Sequence, residues 1–514
     1  MALDVKPNPG GEGEGEGEGG AIDAPAHHPS PPPDELFDVS TTVDPSYVIS
    51  LIRKLIPIDT GSKSNHDKMS NSSRMEASEL PPSGEESGPN NMDINQSSCQ
   101  SEDGDLLGEY DIWEEHGCVL WDLASSPTHA LLMVQNLVLE VLLANLKVSQ
   151  SARVTEICLG IIANLGCHDV PMKRIVSTEG MIELIVDQLF LDDTQCLCEV
   201  CRLLSLGLQG SESNTWAKAL LSEHILGRLM WIAENTLNAQ LSEKILGLLL
   251  AILESQAEVS CHLLSTLMGL GLPSLLMNLL AFEMKNLTGE RVSQRYSVFD
   301  VILRAIEALS TLEGHSQEIC SNRELFNIVC ELVKLPDKVE VASSCVTAAV
   351  LLANVLSDVP DLTYDISQDL PFLEGLLDIL SFASDDLEAR SALWSIMARL
   401  FVRIKENEMN LSTLHQFVLV LLAKSDLIEE DLLDRQLDNL SGESNNSSSS
   451  TSKLNARDIA IQRIINILNQ WTTSKDSLEQ GRERIAEEFH VDDVNVRRLL
   501  DCCCKHIRST VADI

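Results

Sequence analysis

The chain has 514 residues, a formal net charge of -41 at pH 7, and only 4% aromatic residues. A surface this acidic repels nucleic acid, because non-specific binding depends on Lys and Arg neutralising phosphates, and it repels anionic membranes for the same reason. The sequence shows no sustained period-two alternation, which half-buried strands require, and no run of 18 or more apolar residues, which membrane spans require. We therefore expect an all-α protein that binds neither nucleic acid nor membrane.

Three short segments precede the main domain. Residues 1–43 are a low-complexity arm of Gly, Glu and Pro, and residues 59–104 are rich in Ser, Asn and acids. Neither composition can bury enough apolar surface to offset the entropy of ordering, so both are predicted to be disordered. Between them, residues 44–58 predict a short amphipathic helix. Because the end of a stacked domain needs a cover, we expect this helix to dock there; the alternative is that it awaits a partner.

Two tryptophans open the main domain, which is predicted to span residues 105–435. Trp113 and Trp121 lie at helical spacing in a segment that is otherwise acidic and apolar. We expect them to cover the apolar end of the first repeat. A ligand-binding aromatic site is the alternative.

A repeated apolar helix organises the rest of the chain. It reads EICLGIIANLGC over residues 156–167, and Leu165 marks its position. Equivalent marker residues follow at spacings of 43, 44, 60, 43 and 45 residues, namely Leu208, Ile252, Leu312, Val355 and Leu400. A period of about 40 to 47 residues is typical of armadillo and HEAT repeats. The one long step predicts an inserted external loop in the polar run 283–297.

The turns before the marker helices favour armadillo repeats over HEAT repeats. Acidic turns recur at residues 191–195, 335–339 and 383–387, where Asp or Thr can cap the following helix. We therefore predict an all-α, armadillo-like α–α superhelix, or solenoid, of about seven repeats. Residues 436–453 are predicted to be a disordered Ser-rich loop. Residues 454–514 are predicted to form helices that complete and cap the solenoid.

No constellation in the sequence predicts catalysis or a cofactor. Phosphate-binding glycine loops and the G-x-S-x-G motif of serine hydrolases are missing from the sequence. The candidate metal ligands are two clusters, Cys196, Cys198 and Cys201, and Cys502, Cys503 and Cys504 with His506. Residues two apart on a helix point in different directions, and the paired C-x-x-C spacing of structural zinc sites is missing. We therefore expect no metal site and no enzyme activity.

The cysteines also indicate the compartment. The N-terminal stretch lacks an apolar run of signal-peptide length, so we expect the 14 cysteines to stay reduced. Several of them lie within apolar helical patterns, where cysteine serves as a small core residue.

The first repeats carry a family resemblance. A Trp-Asp dipeptide at Trp121 introduces a segment that resembles the R-x-x-E-I-C-x-G-I-x-x-N-x-x-C pattern of the serum amyloid A-like (Saal) family of armadillo-type proteins. The matching residues are Arg153, Glu156, Ile157, Cys158, Gly160, Ile161, Asn164 and Cys167. The resemblance implies a protein-interaction scaffold in the nucleus or cytoplasm, associated in animals with cell proliferation.

The predicted groove along the marker helices is the expected binding site. Import receptors of this fold hold basic peptides with Trp-x-x-x-Asn pairs on these helices, but no such pair occurs at the corresponding positions here. An importin-like receptor is therefore disfavoured. The candidate partner-binding residues in those positions are Asn164, Asn354, Arg399 and Glu307.

The sequence therefore predicts a non-enzymatic scaffold for protein partners that carry basic residues. The alternative is an adaptor or a ubiquitin-ligase-associated armadillo protein. The oligomeric state stays open.

Overall fold

The computed structural model describes residues 43–57, 103–256, 258–289, 292–404, 409–441, 455–479 and 491–512. All the regular structure in these ranges is helical, as predicted. The arm predicted to be disordered falls almost wholly outside the described residues, as do most of the linker at 59–104 and most of the Ser-rich loop.

The helices of the described residues follow one another with short connections. In chain order they are α1 Pro45–Lys54, α2 Asp103–Leu123, α3 Pro127–Gln135, α4 Val138–Val148, α5 Ala152–Gly166, α6 Asp169–Ser177, α7 Met181–Asp187, α8 Thr194–Gln209, α9 Ser213–Ala219, α10 Glu223–Asn235, α11 Ala239–Glu254, α12 Ser260–Gly269, α13 Leu272–Thr288, α14 Tyr296–Thr311, α15 Ser316–Cys320, α16 Arg323–Val333, α17 Ala342–Asp358, α18 Thr363–Ile366, α19 Leu370–Leu380, α20 Leu387–Arg403, α21 Leu411–Ala423, α22 Ser425–Ser441, α23 Ala456–Glu479 and α24 Asp493–Ala512. Short 3-10 turns occur at Gln188–Phe190, Ser293–Arg295, Val339–Val341 and Pro360–Leu362.

The repeating unit is a short helix, a second helix and a long helix. The long helices α5, α8, α11, α14, α17, α20 and α23 contact one another in series, and α2 precedes them against α5. Most of the second helices form a parallel series, in which α10 contacts α13, α13 contacts α16 and α16 contacts α19. This arrangement is an all-α, armadillo-like solenoid, so the predicted fold is confirmed.

The long helix α5 illustrates why the units must stack. Ser151 caps its start by accepting a hydrogen bond from the Val154 amide, and Ile157, Leu159, Ile161 and Leu165 are all buried. These positions lie around most of the helix circumference, so no single neighbour can cover them. Helices α2, α4 and α8 together provide that cover.

Acidic turns cap two of the later long helices as the sequence predicts. Asp193 accepts a hydrogen bond from the Cys196 amide at 2.9 Å, and Asp386 accepts one from the Ala389 amide at 3.0 Å. Each bond satisfies a backbone donor at a helix start that has no partner within the helix.

The short helix α1 docks against α2 and α4, the outcome expected for a cover. Leu51 of this helix and Leu55, which follows its last residue, are both buried. The amide of Asn145 donates to the Leu55 carbonyl at 2.7 Å, and the Trp113 indole N–H approaches the same oxygen at 3.4 Å. Asn145 is buried, so this bond both orients the helix end and satisfies a polar group.

Trp121 explains the glycine in the first marker helix. A Cβ built at Gly160 would lie 2.1 Å from the Trp121 indole, so α2 can pack this closely on α5 only if residue 160 has no side chain. In the next repeat, a Cβ at Gly207 would lie 2.6 Å from the buried Trp216. Glycines of two successive long helices thus accommodate tryptophans.

The predicted marker Leu312 is wrong by one helical turn. Leu312 is the residue that ends α14, whereas Leu309, three residues earlier, is fully buried like Leu165. The corrected spacings around it are 57 and 46 residues. The error arose because both leucines fit an apolar 3.6-residue pattern, and only packing distinguishes them.

The predicted loop at 283–297 is also wrong. Residues up to Thr288 continue α13, and Met284 and Leu287 are buried. Glu283 is 2% exposed and forms a two-pronged ion pair with Arg295 from the following 3-10 turn. This polar run therefore contains the end of helix α13, which a buried salt bridge fixes in place.

One segment meets the length and composition of a membrane span, contrary to the sequence prediction. Val339–Asp358 is 20 residues long with a mean hydropathy of 1.8, and three bent helix pairs would also qualify if each counted as one span. The segment contains α17, which packs between α14 and α20, and half of it is buried. Its apolar character therefore matches its place between two repeats.

A buried ionic cluster joins the last helices. Asp431 of α22 accepts hydrogen bonds from Arg390 at 2.7 Å, from Arg457 at 2.5 Å and from the Trp394 indole at 2.8 Å. The cluster ties α20, α22 and α23 together where the regular repeat ends. Helix α22 itself continues to Ser441, six residues beyond the predicted boundary at 435.

Truncating the first marker residue tests the stacking. Leu165→Ala should cost about 2 to 5 kcal/mol of unfolding free energy, since it opens a cavity between repeats. Urea denaturation measures this loss. Leu237→Ala is the control: Leu237 is 88% exposed, and its loss should stay within about 0.5 kcal/mol. Equal values for the two variants would contradict the assigned burial.

Removing the buried carboxylate at residue 283 tests the corrected helix end. Glu283→Ala leaves the Arg295 charge partly buried without its partner, and such losses cost about 3 to 5 kcal/mol. Lys285→Ala removes an exposed charge from the same turn and should be nearly neutral. A thermal midpoint unchanged by Glu283→Ala would restore the loop interpretation.

Candidate functional site

An acidic cleft of about 670 Å³ lies on the face formed by the long helices. Residues from α14 and α17 line its sides, and the turn before α20 closes one end. The charged residues in its lining are Asp300, Arg304, Glu307, Asp386 and Glu388, and Val346, Val350 and Phe382 supply apolar surface. We call this site the acidic cleft.

Local sequence places the acidic residues. Asp300, Arg304 and Glu307 are spaced by four and three residues, so they share one face of α14. Asp386 caps α20 and Glu388 lies in its first turn, where the helix dipole favours negative charge. Two helices thus direct carboxylates to one cleft for reasons that are local to each helix.

Charge repulsion within the cleft is only partly relieved. Burial raises the pKa of Glu307, and the neighbouring carboxylates Glu388 and Glu254 raise it further, while Arg304 opposes them. Arg304 also pairs with Glu254 at 3.6 Å. Asp300 accepts a hydrogen bond from the Ser344 hydroxyl at 3.2 Å, and this neutral donor does not balance the carboxylate charge. The cleft therefore offers negative charge that a bound cation would stabilise.

The other predicted site residues connect neighbouring repeats. Asn164 donates to the Trp121 carbonyl at 2.9 Å and accepts from Arg202 at 3.0 Å. Asn354 donates to the Ser310 hydroxyl at 3.0 Å, and Arg399 donates to the Leu356 carbonyl at 2.9 Å. These contacts hold adjacent long helices in register. Partner binding by the three residues stays a prediction.

Replacing the marker Leu312 by Leu309 shifts the positions of α14 that correspond to the peptide-binding pairs of import receptors. With Leu309 as marker, the positions compared with import receptors are Arg304 and Ala308 rather than Glu307 and Thr311. The corrected positions still contain no Trp–Asn pair. Glu307 nonetheless lies in the acidic cleft, beside residues that the sequence analysis did not select.

Thiol chemistry is suppressed in the first cysteine cluster. Burial raises the pKa of Cys196 and Cys201 well above the ordinary value, and that of Cys198 to about 11. The Cys196 thiol donates to the Ala152 carbonyl at 3.2 Å. These cysteines are buried and serve as small core residues of the solenoid.

The C-terminal cluster is similar. Burial raises the pKa of Cys503 to about 12, and His506 lies 3.5 Å from the buried Asp458. Throughout the described part of the chain, no three His, Cys, Asp or Glu side chains form a group that could hold a metal ion.

Comparison with known proteins supports the resemblance seen in the sequence. Protein saal1 of Danio rerio is 26% identical over 234 residues, covering 43% of this chain and 48% of the relative. Protein saal1 of Xenopus tropicalis is 28% identical over 140 residues, covering 27% of this chain and 30% of the relative. The chain thus spans at most about half the length of the curated relatives it matches. The Saal resemblance is confirmed, although no family model matches the chain.

Solved structures with related architecture were also found. An engineered protein from a structural genomics consortium has a TM-score of 0.45 and 16% identity, covering 77% of this chain and 85% of that protein. A designed armadillo repeat protein has a TM-score of 0.37 and 14% identity, covering 47% of this chain and 93% of that protein.

Removing one carboxylate should change the titration of another. Glu388→Gln should lower the pKa of Glu307 toward its ordinary value without reaching it, because burial is the larger cause of the shift. Side-chain carboxyl chemical shifts followed by NMR against pH measure this change. Glu313→Gln, an exposed carboxylate at the end of the same helix, is the control and should leave the titration unchanged. Equal shifts in both variants would contradict the geometry of the cleft.

Proposed function

We propose that this helical-repeat scaffold is non-enzymatic and binds a protein segment carrying Lys or Arg in the acidic cleft. The observation that carries the proposal is the convergence of Asp300, Glu307, Asp386 and Glu388 around a single arginine. We also propose, from the Saal resemblance, a nuclear or cytoplasmic location and a link to cell proliferation. We further propose that the chain binds neither nucleic acid nor membranes, because its net charge is strongly acidic.

The energetics of Glu307 support a binding role. Its pKa is raised in the folded protein, so its ionised form is less favourable there than in the unfolded chain. The charged cluster therefore lowers stability near neutral pH, and stability recovers as pH falls through the raised pKa. A bound ammonium or guanidinium group would relieve the same repulsion. A carboxyl group whose pKa is raised in a cleft by burial and by neighbouring charges is a candidate for a functional site.

The apolar lining favours a peptide over a free metal ion. Val346, Val350 and the partly exposed Phe382 lie beside the carboxylates, and they can pack on the aliphatic part of a Lys or Arg side chain. A cation site for Mg²⁺ or Ca²⁺ would need oxygen ligands in a close shell instead. The cleft combines charge with a surface for the side-chain stem.

A labelled octapeptide of alternating Lys and Arg tests the proposal on the full chain by fluorescence anisotropy. Exposed charge pairs contribute about 0.2 to 1 kcal/mol each, so Glu307→Gln with Glu388→Gln should weaken binding roughly 2- to 30-fold. Glu179→Gln with Glu234→Gln removes the same charge from exposed sites elsewhere and is the control. Binding should also weaken strongly toward about 1 M salt, where the Debye length falls to roughly 3 Å.

Binding should weaken with falling pH as well. Protonation of Glu307 removes one attractive charge, and its raised pKa brings this loss at higher pH than for an ordinary glutamate. Glu307→Gln should remove that early part of the pH dependence. Equal affinity in the double variant and its control, or binding that survives about 1 M salt unchanged, would refute the electrostatic cleft.

A further inference from the structure

A second cleft lies on α10, outside the series of long helices, and its lining combines aromatic side chains with Arg228 and one carboxylate, Glu223. It measures about 720 Å³. His224, Gly227, Arg228 and Trp231 all line it, and their spacing of three, one and three residues places them on one face of α10. Phe190, from the preceding 3-10 turn, completes the cleft beside His224. We call this site the aromatic slot.

Two stacked pairs form the walls of the aromatic slot. The rings of Phe190 and His224 lie 4.7 Å apart with an interplanar angle of 8°. The Arg228 guanidinium lies over the Trp231 ring at 4.6 Å. Trp231 is 51% exposed and Phe190 is 39% exposed, so both walls offer aromatic surface to a partner. Large aromatic side chains left exposed in a cleft mark interaction sites.

The walls are fixed before any ligand binds. Arg228 donates from Nε to the Leu189 carbonyl at 2.9 Å and from Nη2 to the Leu191 carbonyl at 2.8 Å. These bonds, together with an ion pair between Nη2 and Asp192 at 3.2 Å, hold the guanidinium over the indole, and none of these contacts uses Nη1. A prearranged site loses less side-chain entropy on binding.

Gly227 keeps the middle of the aromatic slot open. It lies between the two walls on α10, and a Cβ built there would have no atom within 4 Å. A larger side chain at this position would occupy the space between the walls, whereas glycine leaves it open to a ligand.

We infer that the aromatic slot binds a proline-rich segment of a partner protein in the polyproline II conformation. His224 and Trp231 are seven residues apart, which is about 10 Å along a helix. In polyproline II, residues three apart are separated by about 9 Å, so prolines at those positions can meet the two walls together. Such segments dock in aromatic-lined grooves, and their carbonyls remain available to accept from donors such as Arg228 Nη1.

The charges of the chain argue against other occupants of an aromatic site. A nucleobase would bring phosphates to a chain with a net charge of -41. A quaternary ammonium group would meet the positive charge of the Arg228 guanidinium, which lies 4.6 Å from the centroid of the Trp231 ring. An uncharged proline segment meets neither obstacle.

Fluorescein-labelled decaproline and the full-length chain test the inference by anisotropy. Trp231→Ala should weaken binding at least tenfold. Gly227→Leu should block the slot equally, although it replaces glycine with a better helix former and so should not impair folding. Gly247→Leu is the matched control, since an added Cβ at Gly247 of α11 also has no atom within 4 Å, and it should bind like the unmodified chain.

The outcomes separate the aromatic slot from the acidic cleft. Decaproline binding should be unaffected by Glu307→Gln with Glu388→Gln and by salt. The inference is overturned if decaproline does not bind up to about 1 mM, or if both slot variants bind it as tightly as the control. It is also overturned if a ten-residue thymidine oligonucleotide or an amphipathic helical peptide binds more tightly than decaproline and loses that binding in Trp231→Ala.

Discussion

The structure depends on one constraint: each long helix is apolar on too many sides to be covered by its own unit. Helix α5 buries residues toward α2, α4 and α8, and the same need recurs at α8, α11, α14, α17 and α20. Stability in such an array comes from contacts between neighbouring repeats rather than from a single central core. The two ends therefore require special covers, which α1 and the Asp431 cluster provide by different means. One is an apolar helix, and the other is a buried network of charges.

The same constraint explains why the fold could be predicted from the sequence. Long helices that must be buried on several sides leave an apolar pattern at every repeat, and Leu165, Leu208 and Val355 follow it with little variation. Errors occurred where the pattern is ambiguous by one turn, as at Leu309 and Leu312. They also occurred where a partner outside the helix buries a polar residue that looks solvated in the sequence. Glu283 looks solvated in the sequence and is buried only because Arg295 returns to meet it.

The candidate sites show the limit of that approach. Glu307 was selected only through the misplaced marker Leu312. Asp386 and Glu388 belong to another repeat, and their approach to Glu307 depends on how α14, α17 and α20 stack. Residues chosen by analogy, such as Asn164, are instead engaged in contacts between repeats. A repeat pattern predicts which face a residue occupies. It does not predict which side chains of different repeats meet.

The two clefts differ in a way that suits a scaffold. The acidic cleft gathers charges whose mutual repulsion a cationic partner would relieve, so its affinity should respond to salt and pH. The aromatic slot has walls fixed by stacking and by backbone carbonyls, so its affinity should depend on shape and respond little to either. Surfaces that respond to different physical variables can engage two partners independently. A repeat array permits this because each surface is built from its own neighbouring units, and neither needs the other in order to form.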